Sequence, residues 1–253
     1  MKVRRLIGGT RQREAVRGTT LYAMDNDDEF PESVATVGMG PGWNWQEPMM
    51  ITGYRRMERQ YRSMSAYLAG YVDDARLVYC PSAPQRYPYL QEAWDAGDEW
   101  DNPETPAAED PVSGTYCFYW NYTGYLPERD GLFRGPRTTA GSWGESTLMA
   151  SDYFGYGHHR SRYAFGSCER FKGAAITAGT VLSSAYWSRT RTFDYGRQAV
   201  DVRLNAAFSD GHVQTYGPAD VETMKVIMRR PTNEPYPEGV GPGDFYLPRK
   251  AIR

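Results

Sequence analysis

No long apolar run is present in this chain. No stretch approaches the roughly 18 residues that a membrane-spanning helix needs. Met1-Lys2-Val3-Arg4-Arg5-Leu6-Ile7-Gly8-Gly9 carries basic residues without an apolar segment behind them, which excludes a signal peptide. The expectation is a soluble chain with no membrane span and no address of its own. A one-signed charge is also missing: 29 Lys and Arg against 31 Asp and Glu leave a net charge of −2, so no global basic field recruits nucleic acid. Histidine and cysteine are scarce, three of each in 253 residues. His158 and His159 are adjacent and point in opposite directions in an extended chain. Neither they, His212 nor the cysteines show zinc-ligand spacing. Cys80, Cys117 and Cys168 permit one disulfide plus a free thiol, or three reduced thiols. Cys80 and Cys117 bracket a long Pro-rich loop and are the expected pair, which an exported domain favours.

Catalytic signatures are missing as well. Gly141-Ser142-Trp143-Gly144 is not a nucleophile elbow. Gly38, Gly40 and Gly42 alternate without the strand–turn–helix frame of a phosphate-binding loop. Acid pairs such as Asp27-Asp28 and Asp73-Asp74 carry no defined separation, and a glycosidase reading needs one. The chain is read as a non-enzyme.

Aromatics and turn formers are abundant: 20 Tyr, 7 Trp, 26 Gly and 17 Pro. That composition suits short strands and long loops. A helix is expected over residues 4–24, with Ile7, Ala15, Leu21 and Tyr22 on one face, although Gly8, Gly9 and Gly18 each cost up to ~1 kcal/mol relative to Ala. A second helix is expected over 55–71, where Met57, Tyr61, Met64, Leu68 and Tyr71 form a stripe. Strands are expected at Leu77–Cys80, Tyr116–Tyr122 and Thr147–Asp152, one or two more between Ala174 and Trp187, and a hairpin within 199–216. Residues 81–111 read as a surface excursion, Pro218–Arg229 as a short helix, and 231–253 as an extended Pro/Gly-rich tail. Helices followed by strands predict one α+β domain over residues 1–230, its helix packed on a mainly antiparallel sheet running from 77 to 216, with long irregular loops.

Two groups of side chains offer binding chemistry. Asp25, Asp27, Asp28 and Glu29 follow a helix C-terminus, where the macrodipole is already negative. A Ca²⁺ ion on Asp25, Asp27 and Asp28 would relieve their repulsion, but the EF-hand pattern fails, with no Gly at the sixth loop position and no Glu at the twelfth. The other reading is a solvated turn held by Asx-type bonds. Trp43, Trp45, Tyr119, Trp120, Tyr122, Trp143, Tyr153 and Tyr156 could build the stacking face of a secreted carbohydrate-binding module. The same rings could equally fill a core in which their polar tips find partners.

Leu204-Asn205-Ala206-Ala207-Phe208-Ser209-Asp210-Gly211-His212-Val213 reads as a β-hairpin. Leu204, Ala206 and Phe208 alternate on one side, and Asp210-Gly211 suits a tight type I′ turn. Four stretches in order resemble the bacterial prepilin-like, type II secretion pseudopilin-like proteins that carry a C-terminal H-x9-DG motif. They are Leu21-Tyr22-Ala23-Met24-Asp25-Asn26-Asp27-Asp28-Glu29-Phe30-Pro31, Leu77-Val78-Tyr79-Cys80-Pro81-Ser82, Thr147 to Asp152, and Asn205 to Val213. The family histidine nine residues before Asp-Gly falls on Val200, and the family's N-terminal prepilin segment is not seen ahead of Met1.

The resemblance implies a pilin-type fold and a place in the cell envelope, on the periplasmic side of the inner membrane or exported. It implies other pseudopilin or secretion-machinery subunits as partners, reached by protein–protein assembly. Without the apolar half-helix the chain is not expected to polymerise alone. Asn205, Phe208, Asp210 and Gly211 are then fold-defining residues, not catalytic ones.

Overall fold

A computed structural model describes residues 2–35, 47–52, 62–80, 90–100, 114–156, 165–166, 192–195, 198–201, 204–227 and 244–252. Helix α1 spans Lys2–Met24. Its buried side is made of small residues and one long polar one, Gln12: Gly8, Gly9, Gln12, Ala15, Val16, Gly18, Thr19 and Ala23. The expected stripe does not hold, because Ile7 is 41% and Leu21 43% exposed while Ala15 is buried. Close approach selects the buried side instead. A Cβ on Gly18 would lie 2.4 Å from Val72 Cγ2 and 3.2 Å from the Tyr71 carbonyl oxygen. The glycines that weaken the isolated helix therefore let it sit tightly on its neighbours.

The second expected helix is shorter. α2 covers Met64–Leu68, and residues 53–61 lie outside the described residues. Ser63 stops it on the N-terminal side. Its backbone is extended, it bridges to Thr52, and its N–H donates to Asp98 Oδ1 at 2.6 Å. The Ser63 hydroxyl then accepts from the Ser65 N–H as an N-cap. Ala75–Val78 is a 3₁₀ turn capped by Asp74, not a strand. α3, Leu90–Ala96, lies within the expected surface excursion, and it buries Ala93 and Trp94.

The strands follow in chain order. β1 is Tyr116–Phe118, β2 Thr123–Leu126, β3 Gly131–Arg134, β4 Leu148–Asp152, β5 Phe154–Tyr156 and β6 Phe165–Gly166. β7 is Thr192–Tyr195, β8 Gln198–Asp201, β9 Leu204–Phe208, β10 Val213–Tyr216, β11 Val221–Val226 and β12 Asp244–Pro248. They form an antiparallel sheet in the order β1-β4-β9-β10, a second in the order β3-β2-β11-β12-β5-β6, and the β7–β8 pair. The α+β class stands, with two principal sheets in place of one. The interval Ala174–Trp187 lies outside the described residues.

Two expectations near the C-terminus are corrected. Residues 218–229 hold a 3₁₀ turn followed by β11, and the tail contributes β12 between β11 and β5. Val221 and Met224 recur at helical spacing, but Val221–Val226 also pairs on both sides, with β2 and β12. Sheet hydrogen bonding on both edges outweighs a short periodic run.

β4 and β9 are buried at every position, so neither strand has a solvent face. α1 covers one side of this sheet, and one continuous cluster of buried residues joins it to the second sheet. The expected one-sided alternation of Leu204, Ala206 and Phe208 therefore becomes burial of Asn205 and Ala207 too.

Candidate functional site

The central candidate lies where α1 crosses the β9–β10 hairpin. Asn205 organises it. Its Nδ2 donates to the Arg5 carbonyl at 3.2 Å, its Oδ1 accepts the Thr215 hydroxyl at 2.6 Å, and its backbone N–H donates to Asp152 Oδ2 at 2.9 Å. The other oxygen of Asp152 accepts Gln12 Nε2 at 2.7 Å. Asp152 and Gln12 are buried, so this carboxylate exchanges water for directed donors. One side-chain network thus fastens helix, β4, β9 and β10 in register.

Beside the network an open groove of about 450 Å³ runs between α1 and β10. Arg5, Leu6, Thr10 and Arg13 line one wall, and Val213 and Thr215 the other. Gly9 sits at its floor, where a Cβ would stand 3.3 Å from Val213 Cγ1. No carboxylate lines the groove among the described residues, and exposed Arg13 forms no ion pair among them. The Thr10 hydroxyl donates to the Leu6 carbonyl and the Thr215 hydroxyl to Asn205, so both present acceptor lone pairs to the groove. The groove thus brings the exposed Arg13 and two hydroxyls beside the apolar side chains of Leu6 and Val213.

The hairpin turn differs from the expected type. The Gly211 N–H bonds the Phe208 carbonyl at 2.8 Å, and the Phe208 N–H bonds the His212 carbonyl at 3.1 Å. Gly211 has φ +82°, whereas Asp210 is not in the left-handed region. The connection is therefore a three-residue loop with a G1 bulge, not a two-residue type I′ turn. Asp210 Oδ1 accepts the His212 N–H at 3.0 Å, and the Phe208 and His212 rings stack at 4.3 Å. The His212 N–H, foremost, and then its ring hold the Asp210 carboxyl below its ordinary value. These groups shape the turn, and the exposed Asp210 lies on the solvent side of it.

The acidic turn after α1 is tied to protein donors. Asp25 Oδ2 accepts the Tyr71 hydroxyl at 2.8 Å, which raises the Tyr71 pKa. Asp28 Oδ1 accepts the Thr139 hydroxyl at 3.0 Å, and the Asp28 carbonyl accepts the Thr139 N–H at 3.0 Å. Asp27 and Asp28 both have positive φ, 53° and 63°. The Asp28 N–H returns to the Ala23 carbonyl at 2.9 Å, closing the helix end. Among the described residues no three His, Cys, Asp or Glu side chains gather as a metal site would need.

The expected Cys80–Cys117 disulfide is corrected: Cys117 is a buried free thiol and Cys80 is disulfide-bonded without it. Cys117 lies on β1 inside the core, where burial pushes its thiol pKa well up. Cys168, His158 and His159 lie outside the described residues. Of the rings considered for sugar stacking, Tyr119, Trp120, Tyr122 and Tyr153 are buried, and only Trp143 among the described ones stands in solvent. Trp43 and Trp45 lie outside the described residues, as does the Tyr156 side chain.

Gln12, Arg13 and Thr215 escaped sequence reasoning. Gln12 carried one usable signal, a long polar side chain among small residues at helical spacing from Gly8, Gly9, Ala15 and Val16. Arg13 carried none, since an arginine on a helix is ordinarily a solvated charge. No protein-family model, curated protein or solved structure matches this chain.

Proposed function

We propose that the chain is a non-enzymatic, pseudopilin-like subunit of the cell envelope that acts by assembling with other subunits of a secretion apparatus. One observation carries the reading: the segments that bear the resemblance converge on α1. The first is the C-terminal end of α1 itself. The second gives the Tyr79 carbonyl, which accepts Arg11 Nη1 at 2.8 Å. The third gives Asp152 to Gln12, and the fourth gives Asn205 to the Arg5 carbonyl. A helix held by so many polar contacts leaves Val3, Leu6, Ile7, Leu21 and Met24 exposed along its outer side. Exposed apolar side chains on a rigid element are what an assembly subunit offers its neighbours.

The test is the coding DNA upstream of Met1. An in-frame Gly-Phe-Thr-Leu-Ile-Glu-like segment leading into an apolar half-helix supports the proposal. An in-frame stop codon, or a polar segment joined directly to α1, overturns it.

A further inference from the structure

We infer that α1 pairs with α1 of a second copy of this chain, antiparallel, about a two-fold axis that passes between Arg13 and Glu14. Six large apolar side chains are exposed among the described residues, and five of them lie on α1: Val3, Leu6, Ile7, Leu21 and Met24. They form two groups, one toward each end of the helix, with Thr10, Arg13, Glu14 and Arg17 between them. At about 100° per residue, all of these positions share one face about 120° wide. So concentrated an apolar surface calls for a partner.

The order of residues along this face identifies that partner. Counted outward from the midpoint between Arg13 and Glu14, Thr10 corresponds to Arg17, Leu6 to Leu21 and Val3 to Met24. The midpoint itself points within about 10° of the centre of the face. A two-fold axis leaving the helix there carries each residue to the place opposite its counterpart. Apolar ends then cover apolar ends, Val3 on Met24 and Leu6 on Leu21. In the middle, Arg13 of each copy faces Glu14 of the other, twice by symmetry. Both charges are available for this. Arg13 is exposed and forms no ion pair among the described residues. Among them Glu14 pairs with Arg17 of its own helix, at 3.9 Å, a solvent-facing contact of small worth.

Other arrangements fail on the same residues. A parallel pair sets Arg13 on Arg13 and Glu14 on Glu14. An antiparallel pair centred on Arg17 opposes two guanidiniums and sets Arg13 against Leu21. One centred on Thr10 sets Leu6 against Glu14 and Val3 against Arg17. The favoured contact is self-complementary and closed, so it stops at two copies. It is about 32 Å long and one helix wide, a small interface that forms at micromolar concentrations.

This inference goes beyond the assembly reading, since a self-paired helix needs no secretion apparatus. A stop codon ahead of Met1 leaves it intact, and a chain that stays monomeric leaves that reading intact.

The test is sedimentation velocity of the full chain from about 1 to about 200 µM. A reversible monomer–dimer equilibrium is expected, and a monomer throughout overturns the pairing. Leu6→Glu is expected to weaken the dimer by at least about tenfold; an unaffected dimer overturns α1 as the interface. Arg13→Glu and Glu14→Arg each weaken it by about fivefold, because each sets like charges across the axis, and the double variant restores it. A double variant that stays weak overturns the register. These side chains are exposed or half-exposed, so an unchanged thermal melt shows that each variant is folded. Disulfide trapping reads the direction. Leu6→Cys chains are expected to cross-link to Leu21→Cys chains in a mixture, and Leu6→Cys chains that cross-link among themselves instead overturn the antiparallel arrangement.

Discussion

Gly18 shows how a single residue can oppose its own element and still be required. Inside a helix it costs about 1 kcal/mol relative to Ala. Ala there would place its Cβ 2.4 Å from Val72 and 3.2 Å from a fixed backbone carbonyl. Gly18→Ala is expected to destabilise the protein by about 1–2 kcal/mol, because overpacking outweighs the gain in helix propensity. Gly70→Ala, where an added Cβ meets nothing within 4 Å, is expected to stay within about 0.5 kcal/mol of the parent. Urea denaturation of the two variants separates the effects. Asn205 makes the complementary point: three bonds from one residue set the helix, β4 and β10, so its place in the hairpin motif has a physical reason beyond the turn.

At the scale of the element, the hairpin has a pH limit that can be worked out. Asp210 is held below its ordinary value near 3.8, first by the His212 N–H and then by the ring. A depressed carboxyl stabilises the folded turn above that ordinary value, and the contribution is lost as pH falls through the lower folded value. The His212 amide proton resonance is expected to shift in that acid range and to lose the transition in Asp210→Asn. NMR titration reads both. The same hairpin shows what the sequence made legible. Asp-Gly located the turn, and apolar patterning located β4, β9 and the first half of the expected Tyr116–Tyr122 strand, which stops at Phe118 because the chain turns there with Asn121 at φ +52°. The turn type escaped because one glycine at positive φ serves a G1 bulge as well as it serves a type I′ turn. Leu77-Val78-Tyr79 read as a strand because the residues are apolar and β-favouring, yet Asp74 caps a 3₁₀ turn that fixes their backbone. α1 was legible as a helix but not by its face, since burial was decided by close approach at glycines rather than by large side chains. The groove was illegible because it needs the register of a helix against a strand some two hundred positions away.

At the scale of the whole molecule, one core joins the helix and both principal sheets. Cys117 lies in it with a thiol raised by burial, whereas Cys80 is covalently committed. Iodoacetamide is expected to leave Cys117 unmodified in the native protein and to alkylate it once the chain is unfolded. Non-reducing peptide mapping is expected to recover Cys80 only in a disulfide. Reduction should cost about 2–4 kcal/mol of stability, read as a lowered denaturation midpoint. The placement of β12 has a consequence in time. β5 and β11 flank residues 244–248 in space, and β5 precedes them by almost ninety positions, whereas β11 precedes them by under twenty. On the ribosome β5 emerges long before its β12 neighbour, and the six-stranded sheet cannot close until Asp244–Pro248 leaves the exit tunnel. Closure of this sheet thus waits on a late-made strand, and until then a chaperone would find the β12-facing edge of β5 to protect.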